Sequence, residues 1–223
     1  MKSKFKYDTI IFDLDGTLLD TLCDLTASVN YALTRNGMSK RTIDEVRQFV
    51  GNGVKKLMLR ATALQEKDMK FQKAFDDFKQ HYAIHCNDNT KLYDGIEELL
   101  MYLKENGIKT AIVSNKADFA VQSLKDIYFR NLVDCAYGER EKDGIKKKPA
   151  PDMVKLALDK LNADVQRTVY VGDSDVDIMT AKNSNLPVIS VDWGFRDRQF
   201  LIDNGATTIV SDEKSFIEAI TTD

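Results

Sequence analysis

Long apolar runs, paired cysteines, proline-rich linkers and a dominant sign of charge are all missing from this chain of 223 residues. Each absence removes a class of protein. The apolar run ahead of Asp13 is four residues, Thr9 to Phe12. A secretory leader needs roughly 7–15 such residues and a membrane-spanning helix about 20, so neither a leader nor a membrane association is expected. Cysteine occurs at positions 23, 86 and 135 only, odd in number and without CxxC spacing. That pattern offers no disulfide framework and points to a reducing cytoplasm. Three prolines leave no rigid linker. A net charge of −3, from 32 basic and 35 acidic residues, supplies no basic field for nucleic acid or an anionic membrane. A small-molecule partner is therefore expected, with the chain acting as a monomer or homodimer.

What is present is a rhythm of short β-rich runs: Thr9 to Phe12, Lys109 to Val113, Val133 to Ala136, Thr168 to Val171, Pro187 to Val191 and Thr208 to Val210. They are nearly unbroken in apolar character, which suits strands covered on both faces. Amphipathic stretches separate most of them, including Ile96 to Asn106, Pro151 to Leu161, Val176 to Asn183 and Arg198 to Asn204. The alternation predicts βαβ units and a parallel sheet. Gly107 and Gly205 follow Asn106 and Asn204, where helices are expected to end. Between Asp20 and Asn87 the alternation stops. Only helical patterns remain there, near Leu22 to Thr34, Ile43 to Val50, Val54 to Ala63 and Phe71 to His85. The expected architecture is an α/β, Rossmann-like doubly wound parallel sheet core, residues 1–17 and 88–223, with an inserted all-helical cap domain, residues 18–87.

Chemistry is concentrated at strand ends. Asp13-Leu14-Asp15-Gly16-Thr17 follows the first strand directly, and ligands of parallel sheets gather outside the carboxyl ends of strands. Alternation puts Asp13 and Asp15 on one side of the extended chain. Two crowded carboxylates repel unless a cation or a shared proton lies between them. A capping pair with a glycine turn would be the plain alternative, but three later strand ends add to the pattern. Ser114-Asn115 offers a hydroxyl and amides for an anion. Lys148, before Pro149, offers an ammonium to neutralise phosphate and carboxylate charge, although spacing alone does not choose it over Lys146 or Lys147. Gly172-Asp173-Ser174-Asp175-Val176-Asp177 supplies hard oxygen donors of the kind Mg²⁺ prefers, in excess of what capping a helix needs.

These four elements, in this order, resemble the signature motifs of the haloacid dehalogenase superfamily of phosphotransferases. The helical insert after the first motif resembles the small cap of the phosphoglycolate phosphatase group, and so do the segments Phe49 to Leu57 and Val191 to Arg196. The resemblance implies that Asp13 is the nucleophile and Asp15 the general acid and then base. It implies a Mg²⁺ cofactor held by Asp13, the backbone carbonyl of Asp15 and Asp173, with Asp177 ordering metal-bound water. Ser114, Asn115, Lys148, Gly16 and Thr17 are implied to bind the phosphate of a small phosphorylated metabolite, and the lysine-proline pairing of the family selects Lys148. An aspartate two residues after the nucleophile, as at Asp15, distinguishes phosphoryl transfer from carbon-halogen cleavage in that superfamily. The loop Tyr137 to Lys148 is more charged than the resemblance leads one to expect.

Other features carry less. Gly51-Asn52-Gly53 opens a helix continuing with Lys55 and Lys56, and exposed amides at a helix start can bind an anion, so Asn52, Gly53 and Lys55 are candidates for recognising the non-phosphate end of the substrate. An ordinary helix-helix turn would look the same. His81 and His85 have zinc-like spacing but no third ligand in view, and read as solvated helix residues. Phe71, Phe75, Phe78 and Tyr82 read as the core of the insert. Alternatives to a phosphatase are a phosphomutase of the β-phosphoglucomutase type, a pyrophosphatase, and a non-catalytic binding protein on the same fold.

Overall fold

The computed structural model of this protein describes residues 4–222. Its strands are β1 (Thr9–Phe12), β2 (Leu19–Asp20), β3 (Lys91–Leu92), β4 (Lys109–Ala117), β5 (Cys135–Glu139), β6 (Thr168–Gly172), β7 (Val188–Val191) and β8 (Ile209–Val210). Its α-helices are α1 (Leu22–Arg35), α2 (Ile43–Phe49), α3 (Val54–Thr62), α4 (Met69–His85), α5 (Ile96–Glu105), α6 (Asp118–Tyr128), α7 (Asp152–Leu161), α8 (Asp175–Asn183), α9 (Arg198–Asp203) and α10 (Glu213–Ile220). The chain divides into two compact units, Met1–Leu18 with Leu92–Asp223, and Leu19–Lys91. The second crossing thus comes after Lys91 rather than after Asn87.

In the first unit six strands form one sheet in the order β5-β4-β1-β6-β7-β8, every neighbouring pair parallel. The chain moves outward from β1 through β4 to β5, then returns to β6 on the other side and moves outward again. That reversal makes the β1/β6 boundary the switch point at which open α/β sheets present a crevice. All four residues of β1 are buried. Ile11, with Ala111, Val113 and Tyr170 of the neighbouring strands, packs on Met153, Val154 and Ala157 of α7 and Ala181 of α8. Phe12, on the opposite face by alternation, stacks on Phe216 of α10 with ring centroids 6.0 Å apart. Helices therefore cover both faces, and the sheet is doubly wound.

Several boundaries differ from expectation for identifiable reasons. β4 continues past Val113 to Ala117, with a register irregularity against β5 over that stretch. β5 starts at Cys135, because the Val133 N–H closes a turn onto the Phe129 carbonyl at 3.1 Å instead of entering the ladder. Neither α6 nor α10 was among the predicted helices. On α6 the exposed Phe119 and Ile127 blur the apolar stripe, and α10 buries only Phe216 and Ile220.

The second unit holds α1 to α4. A capping box starts α2, in which the Glu45 N–H donates to the Thr42 hydroxyl and the Thr42 N–H to the Glu45 carboxylate. Phe71, Phe78 and Tyr82 of α4 are buried, and Phe75 is half-buried and stacked on Phe71. The buried Asp24 carboxylate on α1 accepts main-chain and side-chain bonds from Asn89 and Thr90. No helix among the described residues is long and apolar enough to cross a membrane.

Phe216 is fully buried and carries the aromatic contact that fixes α10 on the sheet. Replacing it with alanine should lower the unfolding free energy by about 3–5 kcal/mol, read from the midpoint of urea denaturation. A loss below about 1 kcal/mol would mean that α10 does not seal that face.

Candidate active site

Strand register assembles the site before any side chain is considered. Phe12 of β1 pairs with Ile112 of β4 and Val171 of β6, and the Asp13 N–H still donates to the Val171 carbonyl at 2.8 Å. Asp13 and Asp173, which follow β1 and β6, and Ser114, two residues beyond Ile112 on β4, therefore lie at the same end of the sheet. The loop leaving β1 turns sharply at Gly16, whose φ is +89°. A Cβ there would fall 2.3 Å from Asp173 Oδ2, so only glycine lets the two loops meet. Gly194 closes the same corner, since a Cβ on it would lie 2.2 Å from the Gly16 carbonyl oxygen and 2.5 Å from Asp173 Cβ.

Asp13, Asp173 and Asp177 each contribute an oxygen to a group lying within 4.8 Å of one another, and all three are buried. Lys148, also buried, places its Nζ 2.7 Å from Asp13 Oδ1 and 2.8 Å from Asp177 Oδ1. Asp177 has both oxygens engaged: Oδ1 by Lys148 and the Tyr170 hydroxyl at 3.2 Å, and Oδ2 by the Ser174 N–H at 3.1 Å and the Ser174 hydroxyl at 2.5 Å. Asp173 is held from two sides, by the Phe195 N–H at 2.7 Å on Oδ2 and the Thr17 hydroxyl at 3.4 Å on Oδ1. Asp13 Oδ1 also accepts the Leu14 N–H at 2.7 Å.

The electrostatics follow from this crowding. Burial, reinforced by the charge of Asp177 and opposed by Lys148, pushes the Asp13 carboxyl up to about 7. Burial and the charges of Asp177 and Asp13 likewise hold Asp173 well above the usual carboxylate range. Burial alone would depress Lys148, but the carboxylates of Asp13 and Asp177 keep its ammonium charged with a pKa well above the ordinary lysine value. One ammonium cannot balance three carboxylates. A hard divalent cation with oxygen ligands fits the donor set that Asp13, Asp173 and Asp177 offer together.

The remaining predicted residues lie around this cluster or in the helical unit. Ser114 is buried at the end of the same edge, and its hydroxyl accepts the Lys116 N–H at 3.3 Å. Asn115 clamps the main chain of Lys148, its Oδ1 accepting the Lys148 N–H at 2.8 Å and its Nδ2 donating to the Lys148 carbonyl at 3.1 Å. Asp15 does not join the three clustered carboxylates through its side chain; its Oδ1 accepts from Lys116 Nζ at 2.9 Å. Asn52, Gly53 and Lys55 belong to the helical unit, where Asn52 accepts from Arg60 at 2.7 Å, Gly53 caps α3, and Lys55 pairs with Glu66 at 2.8 Å. In that unit His81 meets the Ser28 hydroxyl at 2.9 Å and His85 meets Asp88 at 2.7 Å.

Three contributors escaped the sequence. Tyr170 sits inside an apolar strand and gives no polar signal, yet its hydroxyl accepts from Lys148 Nζ at 3.1 Å. Lys116 is buried although it stands between Asn115 and an alanine in a segment that gave no reason to expect it. Its alternation with Ser114 along β4 was the available signal. The Phe195 main-chain donor carries no side-chain signature.

The profile of the haloacid dehalogenase-like hydrolases matches residues 10–191. A phosphoglycolate phosphatase of Agrobacterium fabrum is 34% identical over 196 residues, covering 84% of this chain and 81% of its own length. One from Colwellia psychrerythraea is 33% identical over 198 residues, covering 84% and 85%. Among solved structures, a Lactobacillus delbrueckii subsp. bulgaricus protein provisionally named a phosphoglycolate phosphatase superposes with a TM-score of 0.91 at 37% identity, covering 97% of this chain and 99% of that one.

Protons held by the carboxylate cluster must leave when a cation enters, so metal binding and pH are linked. The folded-state pKa of Asp13 is raised from 3.8 to about 7, so the stability its proton confers is complete below 3.8 and lost as pH rises through about 7. Metal-free protein should therefore weaken toward neutral pH, and Mg²⁺ should raise the melting temperature more at pH 8 than at pH 5.5. An increment that is the same at both values would show that the cluster does not give up protons to the ion.

Proposed function

This chain belongs to the haloacid dehalogenase-like hydrolases and is a phosphoric monoester hydrolase, and we propose that it cleaves a small phosphoglycolate-like metabolite, with Mg²⁺, through a phosphorylated Asp13. The observation that carries the proposal is the gathering of Asp13, Asp173 and Asp177 oxygens within 4.8 Å around a buried lysine that touches two of them. Few structural purposes call for that excess of buried negative charge. Binding a cation and a phosphate does.

Asp13, Asp173 and the backbone carbonyl of Asp15 would hold the ion, and Asp177 would act on it through ordered water while anchoring Lys148. When bound, Mg²⁺ supplies the positive charge that lets an ionised Asp13 and a phosphate dianion approach. Ser114 and Lys148 hold the phosphoryl oxygens and orient phosphorus toward the carboxylate. Asp13 attacks phosphorus as the bond to the ester oxygen breaks, and Asp15 delivers its proton to that oxygen so that an alcohol departs. Asp15, now a carboxylate, takes a proton from water as the water oxygen bonds phosphorus and the Asp13–phosphorus bond breaks. Inorganic phosphate leaves, with both aspartates restored.

The phosphoglycolate-like choice is supported by the names of the relatives quoted above. Asn52, Gly53 and Lys55 are proposed to recognise the carboxylate end of such a substrate. The proposed setting is the cytoplasm, which suits the free thiols of Cys23, Cys86 and Cys135.

Phosphate release should be measured on phosphoglycolate, sugar phosphates, nucleotides, pyrophosphate and p-nitrophenyl phosphate, with and without EDTA. The expected result is release from phosphoglycolate that EDTA abolishes and added Mg²⁺ restores, with Asp13→Asn slower by on the order of 10³-fold or more and still folded. Release that persists in EDTA, or in Asp13→Asn, would overturn the proposal. An isomerised sugar phosphate without free phosphate would make the protein a mutase.

A further inference from the structure

Among the described residues two lysines are buried, and the reaction outlined above uses only Lys148. The other, Lys116, lies two residues beyond Ser114 on β4, with its side chain 1% exposed and its Nζ 2.9 Å from Asp15 Oδ1. Desolvating an ammonium and freezing a four-carbon side chain are both unfavourable, and a buried ion pair seldom repays them as net stability. A cation maintained in that position beside Asp15 is better explained by what it does to its partner.

Resting on the acid and base role given to Asp15 above, we propose that Lys116 is a positioning residue that fixes the Asp15 carboxyl group for proton exchange with the leaving group and with water. Asp15 opens the turn Asp15-Gly16-Thr17, and its side chain is only 14% exposed with one of its two oxygens tethered. A bond to Oδ1 from a buried, strand-borne ammonium limits rotation of the carboxyl plane. Oδ2 is then the oxygen that gives up its proton as the ester bond to phosphorus breaks, and that later accepts a proton from the attacking water. Lys148 cannot supply this restraint, because its Nζ is committed to Asp13, Asp177 and Tyr170. Lys116 itself is placed by the strand: its N–H donates to the Ser114 hydroxyl at 3.3 Å, which couples the residue expected to hold phosphate to the one that orients the acid. The two functions thus share one rigid edge of the sheet, as precise placement requires.

The test separates esters by how much they need an acid. kcat/KM reports steps up to departure of the leaving group, so the later role of Asp15 as a base does not enter it. It should be measured for phosphoglycolate, a poor leaving group, and for 2,4-dinitrophenyl phosphate, a good one, in wild type, Lys116→Met, Lys116→Arg, Asp15→Asn and the Lys116→Met/Asp15→Asn double variant. Lys116→Met should lose about tenfold or more on phosphoglycolate and less than about threefold on the dinitrophenyl ester, the retained activity also showing that the site is folded. Lys116→Arg, which keeps a cation, should recover part of the phosphoglycolate rate. In the double variant the methionine should add less than about threefold to the loss already caused by Asp15→Asn. Equal losses of Lys116→Met on both esters beside a selective Asp15→Asn, or additive losses in the double variant, would overturn the positioning role and leave Asp15 as the acid. An Asp15→Asn variant that loses equally on both esters would remove the role of Asp15 itself, and that of Lys116 with it.

Discussion

Oxygens of Asp13, Asp173 and Asp177 stand within 4.8 Å of one another behind a surface that excludes most solvent, and among the described residues one ammonium, that of Lys148, bonds to them. Repulsion between like charges grows as the surroundings become less polar, so this excess of negative charge has two ways to be relieved: protons or a cation. The raised pKa values of Asp13 and Asp173 express the first. Protonation, however, would disable Asp13 as the proposed nucleophile, since a carboxylic acid does not attack phosphorus. A divalent ion relieves the same repulsion while leaving Asp13 ionised, and it extends that relief to an incoming phosphate dianion. The chemistry proposed for this chain follows from that difference.

Much of the core unit can be understood as the means of holding these charges together. The sheet reverses its winding direction between β1 and β6, and at that switch point the loops after the two strands bring Asp13, Asp173 and Asp177 together. Glycine at positions 16 and 194 admits Asp173 where any Cβ would overlap it. The clustered side chains are oriented by bonded partners: Phe195 and Thr17 for Asp173, Ser174 for Asp177, Tyr170 and the Asn115 clamp for Lys148. A polar network bonded in this way is rigid, and rigidity is what electrostatic stabilisation of a transition state needs. Lys116 and Asp15 extend the network by one further pair on the same strand edge.

What could be read from the amino acids was whatever left a one-dimensional trace. Asp13, Asp15, Asp173 and Asp177 were legible because acidic residues after short apolar runs are costly without a ligand, and the doubly wound sheet was legible because those runs lacked polar alternation. Lys148 was legible only through resemblance, as the local lysine run gave three equal choices. Tyr170 was hidden because a tyrosine in an apolar strand looks like core, and its hydroxyl acquires meaning only from the neighbours that tertiary packing supplies. Lys116 was hidden because strand β4 runs four residues further than its apolar stretch, carrying a charged side chain into the interior. Helix α6 was hidden for the opposite reason, since its exposed Phe119 and Ile127 disguise which face is buried.

The central claim is that the buried carboxylates exist to share a divalent cation. Crystals grown with Mn²⁺ in place of Mg²⁺, with anomalous scattering recorded at the manganese edge, address it directly. The account predicts one anomalous peak about 2.1–2.2 Å from oxygens of both Asp13 and Asp173. A map with no peak there, and Lys148 still bridging Asp13 and Asp177, would contradict it.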